Sequence, residues 1–547
     1  MRLRGKDGAR GRAGRAPSGA RESARSSRGM VASAHPLASE VGAKVLAGGG
    51  NAIDAALAMA AMTAVVLPAQ CGFGGDAFAV LYDAASGTYR AVQGSGVGPD
   101  GADADYFRAR GCEAVPVHGP LSVAVPGMVS CVESLHGAGA TRSLAELFEP
   151  AAAAAEQGVV LTAKNAHDIA SHREALAADP AAAAVLLPAH RVPSAGERLV
   201  QADLARTVRA VADAPSSFYT GAIAERCVAA LRAAGAPWSG EEWAAQRAPL
   251  VDTVASAYGG VTIHTTAPPS PGYMVLQQLA IVERRLGELA MLGPDAVELM
   301  ARAAVRCFAD RVERVSSETD EWRRLLERDA IADAAREAAS REPLRAPALV
   351  RGGDTTSFVA VDEAGNAVSF IHSLAFTWGA RVMVPGTGLM LNDRLGRGAY
   401  LLEGHPNCVA PRRRPMHTLN AWIAAGVDGR PLAVGNTPGG DGQVQWNVQL
   451  ISHLFDHGLD PQEAVDAPRF SLAPGSDANA IGTPLALTCE SRLGTRTLAA
   501  LRDAGLPVTV VGPMEGGGGA QVVAIGAERG DLLGGSDSRQ DGIAVGA

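Results

Sequence analysis

In the first part of the chain, apolar positions recur with the period of α-helices. From His35 to Ala47, from Ala52 to Val66 and from Ala140 to Gly158, small and aliphatic residues recur with the spacing of packed helices. From Pro294 to Glu342 charged residues are frequent, which predicts long helices on the outside of the molecule. The first two thirds of the chain are therefore predicted to be mainly helical.

Shorter runs rich in β-branched and aromatic residues predict strands. They cover Ala77 to Tyr82, Val261 to Thr265, Ser357 to Asp362 and Ala367 to Ser373. The last two runs are separated by residues 363–366, a Glu-Ala-Gly-Asn stretch that favours a β-hairpin. The chain thus mixes helices and strands, with no internal repeat and no long linker.

The first strand of this hairpin begins with the most informative residues of the sequence. Thr355 follows the turn-prone residues Gly352, Gly353 and Asp354 and starts an apolar strand. A threonine hydroxyl needs a base beside it, and its own α-amine can be that base once the chain is cut just before it. With a pKa of roughly 7.7–8.0, a substantial part of an α-amine is free base near neutral pH. These residues favour a proenzyme that cuts itself at Asp354–Thr355, and the competing interpretation is an ordinary strand threonine.

Nine short motifs in a fixed order resemble the γ-glutamyltransferase (γ-glutamyl transpeptidase) family over residues 30–547. The Asp-Thr-Thr strand is one of them, and the Thr-Pro-Gly-Gly stretch that ends at Gly440 is another. Each motif is unspecific alone, and their order carries the resemblance. The nine lie at residues 48–56, 72–76, 124–127, 268–270, 354–369, 414–415, 437–440, 467–470 and 535–537.

The resemblance implies an α/β (α+β) fold, the four-layer αββα sandwich of N-terminal-nucleophile hydrolases. It implies a large subunit, residues 30–354, and a small subunit, residues 355–547, interlocked as one domain after self-cleavage, and it allows a homo-oligomer of this heterodimer. Residues 1–29 are rich in Arg, Gly and Ser and contain no apolar core. They are predicted to be a disordered basic extension, not a secretory signal, with Met30 as an alternative start.

The resemblance also assigns catalytic parts. The family places its oxyanion hole at a Gly-Gly pair, here Gly439 and Gly440, where backbone N–H groups can approach a substrate without a Cβ in the way. The alternative for this pair is a plain turn. Ser373 takes the place of a family threonine that holds the nucleophile, and it keeps the hydroxyl.

The residues that hold a γ-glutamyl group in the family are replaced. Ser95 stands where an arginine binds the substrate's α-carboxylate, and His417 and Thr418 replace two assisting serines. Ala375 and Arg397 replace the asparagine and the acidic residue that hold the α-ammonium. A lost bidentate arginine and a cation at an ammonium site weaken glutamyl binding. Glutathione chemistry is therefore not expected.

The replacements favour an anionic substrate. Arg394, Arg397 and His417, with residues 412–414 nearby in sequence, offer positive charge and hydrogen-bond donors, although any of these arginines can equally be a surface ion-pair partner. The expected reaction is hydrolysis of a small acyl or amide compound that carries a carboxylate near the scissile carbonyl, through an acyl-Thr355 intermediate. This pattern resembles the oxamate amidohydrolase-like and acylase-like members of the family.

Three alternatives stay open. One is an oxalyl-releasing C–C bond hydrolase, as in family homologues from antibiotic biosynthesis. Another is a genuine γ-glutamyltransferase or glutathione hydrolase. The third is an uncut, non-catalytic homologue.

Composition limits the partners, the cellular compartment and the cofactors that can be expected. A net charge of 49 − 57 = −8 argues against non-specific nucleic-acid binding. Seven scattered cysteines indicate reduced thiols and a cytoplasmic protein, and apolar runs such as residues 55–67 are too short to span a membrane. His453 and His457 lie one helical turn apart but lack the rest of a zinc signature. Neither a metal nor a cofactor is expected, because the α-amine supplies the base.

Overall fold

Two seven-stranded sheets form the centre of the molecule in a computed structural model, which describes residues 21–340, 354–473, 475–476, 484–526 and 531–547. One sheet has the order β1-β20-β19-β15-β14-β9-β8 and the other β21-β2-β10-β11-β3-β4-β7. The strands of these described ranges are β1 (Ala24–Ser26), β2 (Met30–Ser33), β3 (Asp76–Asp83), β4 (Thr88–Gly94), β5 (Val159–Val160), β6 (Arg198–Leu199), β7 (Leu250–Asp252), β8 (Val254–Tyr258), β9 (Val261–Thr265), β10 (Asp354–Val361), β11 (Ala367–Ala375), β12 (Met383–Val384), β13 (Leu389–Met390), β14 (Trp422–Ala425), β15 (Pro431–Asn436), β16 (Phe470–Ala473), β17 (Ala486–Glu490), β18 (Val508–Val511), β19 (Gln521–Ile525), β20 (Leu532–Ser536) and β21 (Ile543–Gly546).

Helices cover the outer faces of both sheets. Those within the described ranges are α1 (Pro36–Ala47), α2 (Ala52–Val66), α3 (Ala104–Arg108), α4 (Met128–Gly137), α5 (Leu144–Gln157), α6 (Ala163–Ser171), α7 (Arg173–Ala178), α8 (Pro180–Leu186), α9 (Ala202–Asp213), α10 (Ser217–Thr220), α11 (Ala222–Ala233), α12 (Glu241–Ala244), α13 (Gly272–Leu286), α14 (Pro294–Arg314), α15 (Glu321–Arg324), α16 (Arg328–Ala339), α17 (Arg394–Gly398), α18 (Gly442–Phe455), α19 (Pro461–Asp466) and α20 (Thr495–Asp503).

Three apolar cores stack these elements into four layers, helix, sheet, sheet and helix, which confirms the predicted αββα sandwich. Strand β10 shows how the sequence alternates between two of the cores. Val359 and Val361 point into the core between the sheets, where they join Ile423 and Val434 of the other sheet. Phe358 belongs to the core beneath α1, α2 and α5. The third core lies between the other sheet and α13, α14 and α18.

Helix α2 positions the chain that surrounds Thr355. Asn51 and Asp54 form a capping box at its start, and every residue of the helix is buried. Its small side chains allow close packing against α1, α5 and strands β10 and β11. Because α2 ends at Val66, the following turn lies beside the start of β10 and the end of β11.

The predicted elements are found, with one error of placement. Strands β10 and β11 form the expected hairpin, in which Val361 pairs with Ala367. The charged region after Pro294 is helical as predicted, but α14 is largely buried, whereas it was expected on the outside. The predicted turn at Gly352 and Gly353 lies outside the described residues.

The start of the described chain corrects a second expectation. Residues 24–26 form strand β1, which pairs with β20 through Arg25 and Leu533. The prediction of a disordered extension through residue 29 is therefore wrong for this strand, and residues 1–20 lie outside the described ranges. All seven cysteines lie within the described ranges and are free. None of the helices given above is both long and apolar enough to cross a bilayer.

Candidate active site

Thr355 lies at one end of its sheet, where four neighbouring strands begin or finish. It is 1% exposed and stands at the start of β10, while Ser373 lies near the end of β11. Ser373 pairs with Asp76, the first residue of β3. Strand β4 ends beside β3 at Gly94, directly before Ser95. The fold thus brings Thr355, Ser373 and Ser95 to the same end of one sheet.

A hydrogen bond joins the two central hydroxyls. Thr355 Oγ1 donates to Ser373 Oγ at 3.1 Å, and Ser373 Oγ also accepts from the backbone N–H of Ala375 at 2.8 Å. The register between β10 and β11 shifts between Asp354 and Thr356, so Thr355 sits in an irregularity of the ladder. Such bulges re-aim a side chain, and here the side chain meets Ser373.

Asp76 connects this strand end to two predicted site residues. Its buried carboxylate accepts from the backbone N–H of Gly127 at 3.0 Å, and its Oδ2 lies 3.1 Å from His417 Nε2 and 3.5 Å from Arg394 Nε. Burial raises the pKa of Asp76 to about 6, against the lowering effect of Arg394. Sequence analysis gave Asp76 no role, although an acidic residue at the head of an apolar strand is itself unusual.

Arg394 is the least satisfied polar group of the site. Its side chain is fully buried at the start of α17, and burial lowers its pKa to about 10, so it remains charged at neutral pH. Within the described part of the chain, none of its three guanidinium nitrogens makes a hydrogen bond. The Asp76 carboxylate, 3.5 Å from Nε, compensates this buried charge, and the guanidinium donors that make no hydrogen bond can meet a second anion. Arg394 is therefore a candidate anion-binding residue.

His417 does not supply the positive charge that the sequence suggested. It is fully buried, and desolvation together with nearby arginines holds its pKa well below the usual value. Its Nδ1 accepts from the Leu419 N–H at 3.4 Å, which leaves Nε2 to donate to Asp76. That expectation is wrong because the neutral imidazole uses its single N–H inside the protein.

The other predicted binding residues divide between the interior and the surface. Arg397 is 3% exposed and lies over the Phe376 ring at 4.4 Å. Thr418 is buried, and so is Ser95, whose Oγ has no hydrogen-bond partner within the described residues. Arg412 pairs with Asp100 and Glu241, and Arg413 with Glu318, in exposed ion pairs away from this cluster.

Gly439 and Gly440 come after the end of β15, and β15 runs towards the end of the sheet where Thr355 lies. Ser369 Oγ donates to the Gly435 carbonyl at 2.9 Å, and Asn436 Nδ2 donates to the Phe370 carbonyl at 3.0 Å. Because successive residues of β11 and β15 contact each other in this order, the two strands run in the same direction. The φ angles of Gly439 and Gly440 are 119° and 58°, which glycine adopts at little cost. These dihedrals and the direction of the chain are compatible with the predicted oxyanion hole.

His453 lies on α18, and His457 follows the end of that helix. His453 is 4% exposed, and its ring lies 6.4 Å from that of His457. Burial lowers the pKa of His453 to about 3. Within the described ranges, no group of three or more His, Cys, Asp or Glu side chains is arranged to hold a metal ion.

Comparison with known proteins gives consistent matches over nearly the whole chain. A family model for gamma-glutamyltranspeptidase matches residues 38–547. The chain is 33% identical over 530 residues to the glutathione hydrolase-like YwrD proenzyme of Bacillus subtilis, covering 94% of this chain and 98% of that one. It is 32% identical over 541 residues to the oxamate amidohydrolase proenzyme of Klebsiella pneumoniae, covering 95% and 99%. The crystal structure of cephalosporin acylase from Bacillus halodurans has a TM-score of 0.87 at 27% identity, covering 98% and 99%.

Proposed function

This chain belongs to the gamma-glutamyltranspeptidase family, and from that premise we propose that it is a self-processing threonine hydrolase acting on a small anionic amide. The family and the relatives named above are enzymes, and the proenzymes among them support an amide hydrolase made of a large and a small subunit. The proposal adds three specific points: a cut at Asp354–Thr355, Thr355 as the nucleophile, and a substrate carboxylate held by Arg394.

The chemistry follows from the groups around Thr355. After the cut, the α-amine of Thr355 takes the hydroxyl proton while Oγ1 attacks the substrate carbonyl. The backbone N–H groups of Gly439 and Gly440 would stabilise the negative charge that develops on the carbonyl oxygen. The ammonium then gives its proton to the leaving amine, an acyl-Thr355 ester remains, and water hydrolyses it with the α-amine again acting as base. Ser373 holds Oγ1 in place through the 3.1 Å contact.

The buried guanidinium of Arg394 is the observation that carries the substrate assignment. It lies beside Asp76, which pairs with Ser373 next to Thr355. A substrate carboxylate would accept charge-assisted hydrogen bonds from nitrogens that the described part of the chain leaves unbonded. The name of the Klebsiella relative, an oxamate amidohydrolase, supports a carboxylate directly beside the amide.

The order of the strands supports two subunits that stay together. Strands β10 and β11 come from the proposed small subunit, residues 355–547, yet they lie between β2 and β3 of the proposed large subunit, residues 30–354. Separating the two pieces would break a continuous ladder on both sides of the hairpin. We therefore infer that the cut product remains one interlocked unit.

A panel of p-nitroanilides tests the proposed specificity. The oxalyl and glutaryl compounds carry a free carboxylate and no amine, the γ-glutamyl compound carries both, and the acetyl compound carries neither. We expect p-nitroaniline to be released faster from the oxalyl or the glutaryl compound than from the γ-glutamyl and acetyl compounds. Thr355→Ala should abolish every activity. Faster release from the γ-glutamyl compound than from the carboxylate-only compounds would overturn the substrate assignment.

A further inference from the structure

Gln70 contacts the nucleophile's own backbone. It follows α2 in the turn before β3 and is 1% exposed. Its carbonyl accepts from the N–H of Leu374, next to Ser373 on β11. Its side-chain amide lies between two groups, 3.0 Å from Lys164 Nζ and 3.2 Å from the carbonyl oxygen of Thr355. One residue of the large segment thus bridges the two strands that carry Thr355 and Ser373.

The direction of the Gln70 amide follows from its two neighbours. An ammonium group can only donate and a peptide carbonyl can only accept. The amide oxygen of Gln70 therefore faces Lys164, and the amide nitrogen donates to Thr355. Lys164 is itself held by Asp168, with 2.9 Å between Nζ and Oδ2, and the Asp168 carbonyl accepts from Trp378 Nε1 at 3.2 Å.

We propose that Gln70, oriented by Lys164, is a positioning residue that fixes the peptide plane of Thr355 for catalysis. The inference deepens the proposed function and rests on Thr355 being the nucleophile. The strand ladder shifts register at Thr355, so ordinary strand pairing secures this residue less well than its neighbours. The hydrogen bond from Gln70 supplies an anchor at that point.

The anchor matters more after the cut than before it. In the precursor, the peptide bond to Asp354 holds the nitrogen of Thr355 from one side. Once that bond is broken, Thr355 is a chain end, and its α-amine and Oγ1 keep their placement against the rest of the site through what holds its carbonyl and side chain. Ser373 holds the side chain, and Gln70 holds the carbonyl. Loss of the Gln70 bond should therefore slow turnover more than self-cleavage.

The test replaces the amide while keeping its size. Gln70→Leu removes both hydrogen bonds, and Gln70→Glu keeps the acceptor for Lys164 but places an oxygen against the Thr355 carbonyl. In the full chain, the cut fraction, kcat, KM and Tm are measured with the best p-nitroanilide of the panel. We expect both variants to become fully cut, with kcat lowered by roughly 10- to 100-fold and KM within about twofold, because a small misplacement of a reacting group has effects of this size. If Gln70→Leu does not fold, Gln70→Glu decides the question.

Gln201 offers a matched control. Its buried amide donates to the carbonyl of Val65 in α2 at 2.9 Å, a bond of the same kind that does not involve Thr355. Gln201→Leu should lower Tm while leaving the kcat of the folded protein unchanged. Lys164→Met should lower kcat, as Gln70→Leu does. The double variant should have the same kcat as Gln70→Leu, because both changes act through the hydrogen bond from Gln70 to the Thr355 carbonyl.

Two outcomes would overturn the positioning role. The first is a kcat of Gln70→Leu that equals the kcat of Gln201→Leu. The second is a Gln70→Leu/Lys164→Met double variant in which the fold losses of kcat of the two single variants multiply. Thr355→Ala separates this failure from failure of the proposed function. If Thr355→Ala is inactive while Gln70→Leu turns over at the normal rate, only the role of Gln70 is wrong. If Thr355→Ala remains active, the nucleophile itself is wrongly assigned.

Discussion

The hydroxyl of Thr355 lies 3.1 Å from that of Ser373, and Ser373 faces Asp76 across strands β11 and β3. Strand β11 thus lies between the proposed nucleophile and the carboxylate on which Arg394 and His417 converge. We propose that bond making at Thr355 and anion binding at Arg394 act on one substrate molecule.

Ser373→Ala should lower kcat by about tenfold. The change removes the acceptor of the Thr355 Oγ1 hydrogen bond and leaves the Ala375 N–H without its 2.8 Å partner. A hydrogen bond of this kind contributes about 1–1.5 kcal/mol, which corresponds to about tenfold in rate. Ser373→Thr keeps the hydroxyl and should retain most of the activity. Steady-state kinetics of fully cut protein checks both variants, and a Ser373→Ala enzyme with normal kcat would exclude the orienting role.

Arg394→Met should remove the preference for anionic substrates. Losing a buried charge partner lowers affinity by about 2–4 kcal/mol, so kcat/KM for the preferred carboxylate substrate should fall by about 30- to 10³-fold. The acetyl compound lacks the carboxylate and should be hydrolysed at nearly its original rate. An equal loss on both compounds would show that Arg394 supports the structure and does not bind the substrate.

The neighbouring carboxylate provides the control for Arg394. Without the guanidinium, Asp76 would keep a buried charge with less compensation, and the single variant could be less stable for that reason. The double variant Asp76→Asn/Arg394→Met removes both charges. It should recover thermal stability without recovering the preference for a carboxylate, as measured by Tm and by the same substrate pair.

His453 makes the protein less stable in mild acid. Desolvation, with smaller contributions from His457 and Arg469, lowers the pKa of His453 to about 3. The unfolded chain, with a histidine pKa of about 6.5, then binds the proton more tightly than the native state does. This contribution is constant above pH 6.5 and is lost as the pH falls from 6.5 towards 3, by about 2 kcal/mol at pH 5.

Urea unfolding at pH 7 and pH 5 measures this effect. His453→Leu should reduce the difference in unfolding free energy between the two pH values by about 2 kcal/mol. Leu454→Ala, a buried and non-titrating neighbour on the same helix, should lower stability by a similar amount at both pH values. A pH difference that is unchanged in His453→Leu would contradict the assignment of a buried neutral imidazole.

Gly439→Ala should impair catalysis more than folding. Its φ is 119°, and a Cβ there would lie 2.4 Å from Cζ3 of Trp446, so the loop would shift. Displacing one donor of an oxyanion hole lowers kcat by about 10²-fold. Gly429, with φ 79° and open space around its Cβ position, is the matched control. Gly429→Ala introduces similar backbone strain but should leave kcat unchanged. Equal kcat values for the two variants would exclude Gly439 from the oxyanion hole.

Local patterns predicted the elements of the fold well, but not the depth at which each lies. The hairpin β10–β11 and helix α2 follow directly from alternation, turn residues and small apolar side chains. Helix α14 was placed outside because of its charges, yet Arg302 pairs with Glu298 and the Asp310 carboxylate accepts from Gln277 Nε2 at 2.8 Å inside the structure. Charged residues can be buried when they are paired. The Arg302–Glu298 pair lies within α14, but the contact between Gln277 and Asp310 joins two helices and is not visible in a single sequence.

In the candidate site, too, contacts between residues that are distant in sequence could not be predicted. Thr355 and Ser373 are 18 residues apart on one hairpin, so their approach follows from local pairing. Asp76 and His417 are 341 residues apart, and only the assembled sheets bring them together. The neutral state of His417 depends on that burial and on the arginines around it. Its charge could therefore be assigned only from the three-dimensional arrangement.

We propose that activity requires Thr355 to become a chain end. Intact-mass measurement and N-terminal sequencing of purified, active protein test it most directly. We expect two polypeptides, the smaller starting at Thr355 and containing 193 residues (547 − 354), and we expect Thr355→Ala to remain a single inactive chain. Full activity in a preparation whose backbone is continuous through residues 354 and 355 would contradict the mechanism.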